Sequence, residues 1–187
     1  MGIVAELPVV ILTGPPGSGK TTVARALASR YERAVHLESD RFFDFIRSGY
    51  IEPWRPESHG QNSVVMGIVA QAAGGYARAG YFTIVDGIVF PRWFLDPLRD
   101  SFESQGQTVS YAVLRASAAT CISRTADRPG RQLADPSVVE RLWRDFADLG
   151  SLEDHVIDND RSAPEQTAGV IAANLDGQLL LHRRISE

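Results

Sequence analysis

Residues 14–21 read Gly14-Pro15-Pro16-Gly17-Ser18-Gly19-Lys20-Thr21, a complete G-x-x-x-x-G-K-[ST] pattern. An apolar run, Val9-Val10-Ile11-Leu12, precedes it, and a helix-forming run, Thr21-Thr22-Val23-Ala24-Arg25-Ala26-Leu27-Ala28, follows. Strand before and helix after is the setting a phosphate-binding loop needs. The glycines allow a tight turn through left-handed dihedrals. Successive N–H groups then converge on one concavity that suits phosphate oxygens, and the helix opening near Lys20 adds the positive end of its dipole. Lys20 is expected to reach the β- and γ-phosphates, and the Thr21 hydroxyl to meet Mg²⁺. Pro15, Pro16, Ser18 and Thr22 complete the stretch expected to contact nucleotide.

Such a loop needs a second carboxylate for its metal. Asp86 closes the apolar run Phe82-Thr83-Ile84-Val85, and a carboxylate at the carboxyl end of a central strand faces the ligand crevice of an open α/β sheet. It would hold Mg²⁺ directly or through water; its plain alternative role is to cap the next turn. Hydrolytic ATPases of the AAA and transporter types usually follow this residue with a glutamate that activates water, and Gly87 stands there instead. The absence of an Asn-Lys-x-Asp segment weighs against a GTPase. Both absences favour transfer to a bound acceptor over hydrolysis.

Asp40 follows the second apolar run, in His36-Leu37-Glu38-Ser39-Asp40-Arg41. On the strand next to the loop it would face the γ-phosphate and accept the proton of an acceptor hydroxyl. It is also a third oxygen on the metal side, with Thr21 and Asp86. Ser39-Asp40 equally suits a helix cap, and the two roles are compatible. Arg124, Arg128 and Arg131 surround the Pro129-Gly130 turn, where Arg128 and Arg131 would swing onto the phosphates as a lid closes; a solvated basic face paired with Asp127 and Asp135 is the alternative. On the acceptor side stand Arg41, Phe43, Arg55, Gln61, Asp86, Gly87 and Arg92, with His59, Asn62, Trp54, Trp93, Phe42 and Phe45 nearby. Arg92 would clamp an anionic group.

The elements that must position these residues alternate between strand and helix patterns, which argues for α/β with a parallel sheet. Strands are expected at 8–13, 34–37, 81–85, 109–114 and 155–158. Helices are expected at 20–31, 39–48, 62–79, 92–104, 116–127, 136–149 and 164–174. The Gly74-Gly75 pair weakens the third of these. Ser117, Asp135 and Ser162 are the expected caps of the last three. With 187 residues the chain suits one domain. A net charge of −4 offers no basic field for nucleic acid. The single cysteine, Cys121, excludes an intrachain disulfide framework and fits a cytoplasmic setting. No apolar run is long enough for a membrane span, and the N-terminus lacks a secretory start.

On GPPGSGKT, Asp40, Asp86-Gly87, Leu114 with Arg124-x-x-x-Arg128, and Val156-Ile157-Asp158 before Ser162-Ala163-Pro164-Glu165, the chain resembles the P-loop small-molecule kinases. That superfamily includes adenylate, shikimate and gluconate kinases and chloramphenicol phosphotransferase. The resemblance spans 8–175. It implies a three-layer α/β fold with a five-stranded parallel sheet of order 2-3-1-4-5, flanked by helices, and a short lid at 128–136. The domain would run 1–175, with a tail at 176–187. It further implies ATP and Mg²⁺ as cofactors, Arg124 stacked on adenine, Arg128 or Arg131 serving the lid, and Asn159, Asp160, Arg161 and Ser162 wrapping the base. Where shikimate kinases have Gly-Gly-Gly, this chain has Asp86-Gly87-Ile88. Adenylate kinases read Asp-Gly-Phe-Pro-Arg there, and this chain carries two extra residues before Pro91-Arg92. The expected activity is transfer of the γ-phosphate of ATP to a hydroxyl of a small-molecule acceptor, metabolite or antibiotic, by a monomer or homodimer. The alternatives are a nucleoside monophosphate kinase, with Arg92 and Arg41 on the acceptor phosphate, and a non-kinase nucleotide-binding regulator or NTPase.

Overall fold

The computed structural model describes residues 7–126 and 135–181. Continuous apolar runs become strands covered on both faces, as parallel sheets require. β1 (Val9–Thr13), β3 (Phe82–Asp86) and β4 (Val109–Leu114) are buried throughout, whereas β2 (Ala34–Glu38) and the short β5 (Val156–Ile157) are half-buried edges. The parallel order is β2-β3-β1-β4-β5, as expected. Register sets Leu12 beside Asp86 and Glu38 beside Asp86, so the three strand ends that carry the chemistry are level. One strand was not foreseen: β6 (Leu180–Leu181) pairs antiparallel with Val109 and Ser110 at the opposite end of β4.

Helices cover both faces. α1 (Lys20–Ala28) and α7 (Pro164–Asn174) share one core with Val10, Leu12, Ile84, Ala112 and Leu114. α3 (His59–Arg78) and α4 (Leu95–Ser104) share the other with Val9, Ile11, Val85, Tyr111 and Phe146. α5 (Ala118–Ala126) and α6 (Pro136–Arg144) meet through Cys121, Val139 and Trp143. Among the described residues no helix is long and apolar enough to cross a membrane.

Several boundaries differ from the sequence expectations for local reasons. α2 is only Ser39–Phe43; its N-cap is Glu38, without a side-chain cap bond, so neither Ser39 nor Asp40 caps it. It stops because the Asp44 and Ile46 amides turn back to carbonyls three residues earlier. α3 starts earlier, at His59, and runs through Gly74-Gly75, because a Cβ on Gly74 would lie 2.0 Å from Gln105 Oε1. That glycine admits a packing partner whose contact outweighs its weak helix propensity. α4 starts late because Phe90 and Trp93 exchange backbone hydrogen bonds of 3.0 and 2.7 Å, and Phe94 sits at φ 61° as its N-cap. Ser117 and Asp135 cap as expected, with Ser117 Oγ accepting from Thr120 N and Asp135 Oδ1 from Ser137 N. At α7 the cap moves one residue along: Ala163 is the N-cap, and its N–H donates to Gln166 Oε1 at 3.0 Å. α6 ends at Arg144, and the chain to β5 includes a 3₁₀ turn, Gly150–His155.

Candidate functional site

The loop between β1 and α1 is held from below by contacts that only glycine permits. A Cβ on Gly14 would lie 2.1 Å from the Leu114 carbonyl oxygen, and one on Gly17 would lie 2.3 Å from that of Cys121. Gly19, the N-cap of α1, sits at φ 92°. The loop therefore lies directly on the end of β4 and on α5, with its backbone fixed before any ligand arrives. Lys20 Nζ donates to the carbonyls of Gly14 (2.9 Å) and Pro15 (3.1 Å), so its ammonium bends back over the loop.

Thr21 Oγ1 donates to Asp86 Oδ2 at 2.7 Å, which joins the first turn of α1 to the end of β3. His36 Nε2 lies 3.1 Å from the same oxygen. Asp86 is buried. His36 is a site residue that the sequence reading missed; alternation along β2 puts it on one face of the sheet, but only the register with β3 sets it on the same face as Asp86 and within reach of it. Gly87 follows, and a Cβ there would lie 2.1 Å from Ser39 Oγ. Ser39, itself buried, opens α2 and precedes Asp40. The loop, the buried carboxylate and Asp40 are thus joined by consecutive contacts.

On the other flank, Asn159 Nδ2 donates to the Ser18 carbonyl at 2.7 Å, a buried bond between distant parts of the chain. Ser18 Oγ and Asn159 Oδ1 are buried with no partner among the described residues. Arg124 Nη2 donates to the Asp160 carbonyl at 3.4 Å. Asp160 Oδ1 accepts from Ser117 N at 2.9 Å and Ser117 Oγ at 3.1 Å. The Ser117 N–H, followed by the Thr120 hydroxyl, holds that carboxyl below its ordinary range. Arg161 and Ser162 are exposed in the same loop, and Thr22 is exposed on α1. Arg128 and Arg131 lie outside the described residues. Burial pushes the Cys121 thiol up, which keeps it a small packed hydrophobe rather than a nucleophile.

Beside this row of strand ends opens a cleft of about 270 Å³. Asp40, Ser39 and Phe43 of α2 line it, with Pro53 and Trp54 of the following loop, Asn62 and Met66 of α3, and Ile88, Phe90, Trp93 and Phe94 after β3. Arg141, Leu142 and Asp145 close it from the α6 side. That last group was not foreseen: α6 has an ordinary amphipathic pattern, and only tertiary packing turns it toward α2. Burial raises the Asp145 carboxyl, while neighbouring Arg141 and Arg92 oppose the rise. The segment after α6 is held in turn by Arg115, which forks onto both Glu153 oxygens (2.9 and 2.7 Å) and donates to the Phe146 carbonyl at 3.0 Å.

The remaining expected acceptor residues are arranged differently. Arg41 lies 3.5 Å from Glu38, which also meets Arg25 at 3.3 Å. Arg55 pairs with Glu52 at 2.8 Å. The Gln61 amide clasps both the N–H (2.9 Å) and the carbonyl (2.7 Å) of Ile51 and so braces the 49–58 loop. Arg92 is exposed near Asp145. None of these four side chains lines the cleft; Phe43, Trp54 and Trp93 do. Phe42 and Phe45 face a separate depression with Val64 and Ile68. His59 stacks on Phe94, ring centroids 6.0 Å apart.

The AAA domain family matches residues 9–149, and the chain belongs to that family. No curated protein matches it in sequence. Among solved structures it is similar to a sugar kinase from Janibacter sp. HTCC2649 (24% identity, TM-score 0.67, covering 91% of this chain and 95% of that one). It is also similar to the tunicamycin resistance protein of Deinococcus radiodurans (20%, TM-score 0.69, 95% and 99%). A third is shikimate kinase from Acinetobacter baumannii (22%, TM-score 0.57, 89% and 91%). At these identities the likeness is one of fold, and the fold is that of the P-loop kinases.

Proposed function

We propose that this chain transfers the γ-phosphate of ATP, with Mg²⁺, to a hydroxyl group of a small-molecule acceptor. The observation that carries the reading is the unbroken path from phosphate loop to cleft: Thr21 on Asp86, Gly87 under Ser39, and Asp40 in the cleft wall. The residues fit the groups the reading requires. Thr21 Oγ1 and the Asp86 carboxylate are hard oxygen donors 2.7 Å apart, a pair suited to Mg²⁺. Held by Thr21 and Asp86, the ion would supply positive charge against the phosphates. The glycine turns fix a cradle for phosphate, and Ser18 Oγ and Asn159 Oδ1 lie buried beside it with no partner among the described residues.

Lys20 then exchanges two loop carbonyls for phosphate oxygens, a gain because charge-assisted bonds to an anion are the stronger kind. Asp40 accepts the proton of the acceptor hydroxyl and orients it. Arg128 or Arg131 supplies lid charge, and Arg124 with residues 159–162 holds the base, as the resemblance implies. A hydrolytic reading needs a base after Asp86, and Ser39 leaves no room for any side chain at Gly87. That crowding favours transfer over hydrolysis. Asp40→Asn tests the assignment. ATP affinity by calorimetry should stay within a few-fold while turnover falls by about 10²–10⁴. Unchanged turnover removes Asp40 from the chemistry, and ATP loss with no phosphorylated product from a broad alcohol panel rejects the kinase reading.

A further inference from the structure

We propose that the acceptor is an uncharged hydroxyl compound carrying a flat apolar ring, of the kind an aryl glycoside represents, and not an anionic polyol or a nucleoside monophosphate. The fate of the hydroxyl rests on the kinase reading above; the binding does not.

Three observations converge on this class. The first is the wall. Phe43, Trp54, Phe90 and Trp93 line the cleft with Met66 and Ile88 between them. Aromatic faces reward rings and the C–H faces of sugars, and they do little for a charged, fully hydrated ligand. The second is charge. Among the described lining residues the acids are Asp40 and Asp145 and the only base is Arg141. Arg141 lies beside Asp145, and Arg92 approaches the same carboxylate from outside. Even with Arg92 included, the described residues around the cleft carry no net positive charge. Arg41 and Arg55, the other cations expected here, pair with Glu38 and Glu52. A carboxylate or phosphate entering this space finds no surplus of positive charge among the described residues to balance it.

The third is an unmet hydrogen bond. Asn62 is fully buried, and its Nδ2 donates to the Pro53 carbonyl and to Ser58 Oγ, both at 2.8 Å. A carbonyl can only accept, so the amide's orientation is fixed. Its Oδ1 is buried with no partner among the described residues, and Asn62 is one of the residues that line the cleft. A buried acceptor of this kind calls for a donor, and an O–H or N–H of the ligand would reach it through a small shift of the wall. Together the wall asks for a ring, Asp40 for a hydroxyl, and Asn62 for a second donor.

The test is a binding titration on the full chain, saturated with Mg²⁺ and a non-hydrolysable ATP analogue. Tryptophan emission reports on the cleft, because Trp54 and Trp93 lie in its wall. The probes are phenyl β-D-glucoside, phenylethane-1,2-diol, gluconate and AMP. The two aryl alcohols should shift the emission and bind at least tenfold more tightly than gluconate or AMP. Phe43→Ser and Asn62→Leu should each weaken them at least fivefold with ATP-analogue affinity unchanged; Phe43, only half-buried, keeps the test open if the Asn62 variant misfolds. Equal or tighter binding of gluconate or AMP overturns the proposal, as does failure of both aryl alcohols to bind. The parallel phosphorylation assay separates the two readings. Aryl alcohols that bind without being phosphorylated sink the kinase reading alone, and phosphorylated gluconate sinks this inference alone.

Discussion

Replacing Gly87 with alanine tests the junction on which the site depends. Gly87 is not among the positive-φ glycines, so alanine can adopt its backbone and the effect is steric alone. The added methyl would sit 2.1 Å from Ser39 Oγ and 3.1 Å from Ser39 Cβ, where ordinary contact begins at 3.4 Å. Ser39 is 3% exposed, so its hydroxyl has little space to swing into and α2 must give way. Overpacking of this kind costs about 1–3 kcal/mol. At this chain length each kcal/mol lowers Tm by about 2–4 °C. A shift of α2 carries Asp40 with it, and a misplacement of about 1 Å can cost on the order of 10²-fold in turnover. ATP affinity should hold, because the loop contacts lie on α1, α5 and β4. Adding Ser39→Ala removes the worst contact and should recover most of both losses. Calorimetry, a thermal melt and the transfer assay read the three quantities. A Gly87→Ala protein with unaltered Tm and turnover would refute the argument, and so would a lost turnover that Ser39→Ala fails to recover.

Gly17→Ala should be more damaging, since its methyl would lie 2.3 Å from a backbone oxygen that cannot rotate aside, at φ 83°. Strain of about 1–3 kcal/mol from the dihedral adds to the clash, and nucleotide affinity should fall together with Tm. Glu153→Gln probes, through pH, the clamp on the segment that follows α6. The Arg115 guanidinium, then the Leu149 N–H, lower the Glu153 carboxyl to about 2 from an ordinary 4.5. A depressed carboxylate stabilises in full above its unfolded value and loses that contribution as pH falls through the folded one. The variant should therefore melt below the parent at pH 7, with the gap closing between pH 4.5 and 2. A gap that stays constant across that window denies the ion pair its role.

The sheet and its order were legible because β1, β3 and β4 are continuous apolar runs, a signal that needs no tertiary information. The phosphate loop was legible because its residue types follow from one job. The acceptor wall was harder. Phe43, Trp54 and Trp93 were visible as aromatics near the right elements, but nothing local distinguishes Arg141, Leu142 and Asp145 from any amphipathic helix end. Arg41 and Arg55 read as free cations although their partners, Glu38 and Glu52, stand only three residues upstream, a local spacing that was legible along the chain. His36 was hidden for a different reason, since its partner lies across the strand pairing rather than along the chain. The glycine pair weakened the signal for α3, which formed nonetheless, because Gln105, the group that packs over Gly74, is remote in sequence.

The sheet divides the interior into two packed layers, and the site draws on them unequally. α1, which opens from the phosphate loop, is rooted in the layer with α7, while Met66 and Phe94 of the cleft belong to the layer with α3 and α4. Residues that shape the acceptor can therefore be exchanged without disturbing the packing under the nucleotide. On the proposed reading, such a scaffold can be retailored to new alcohols on one side while its phosphate donor stays the same, whether by selection over generations or by design at the bench.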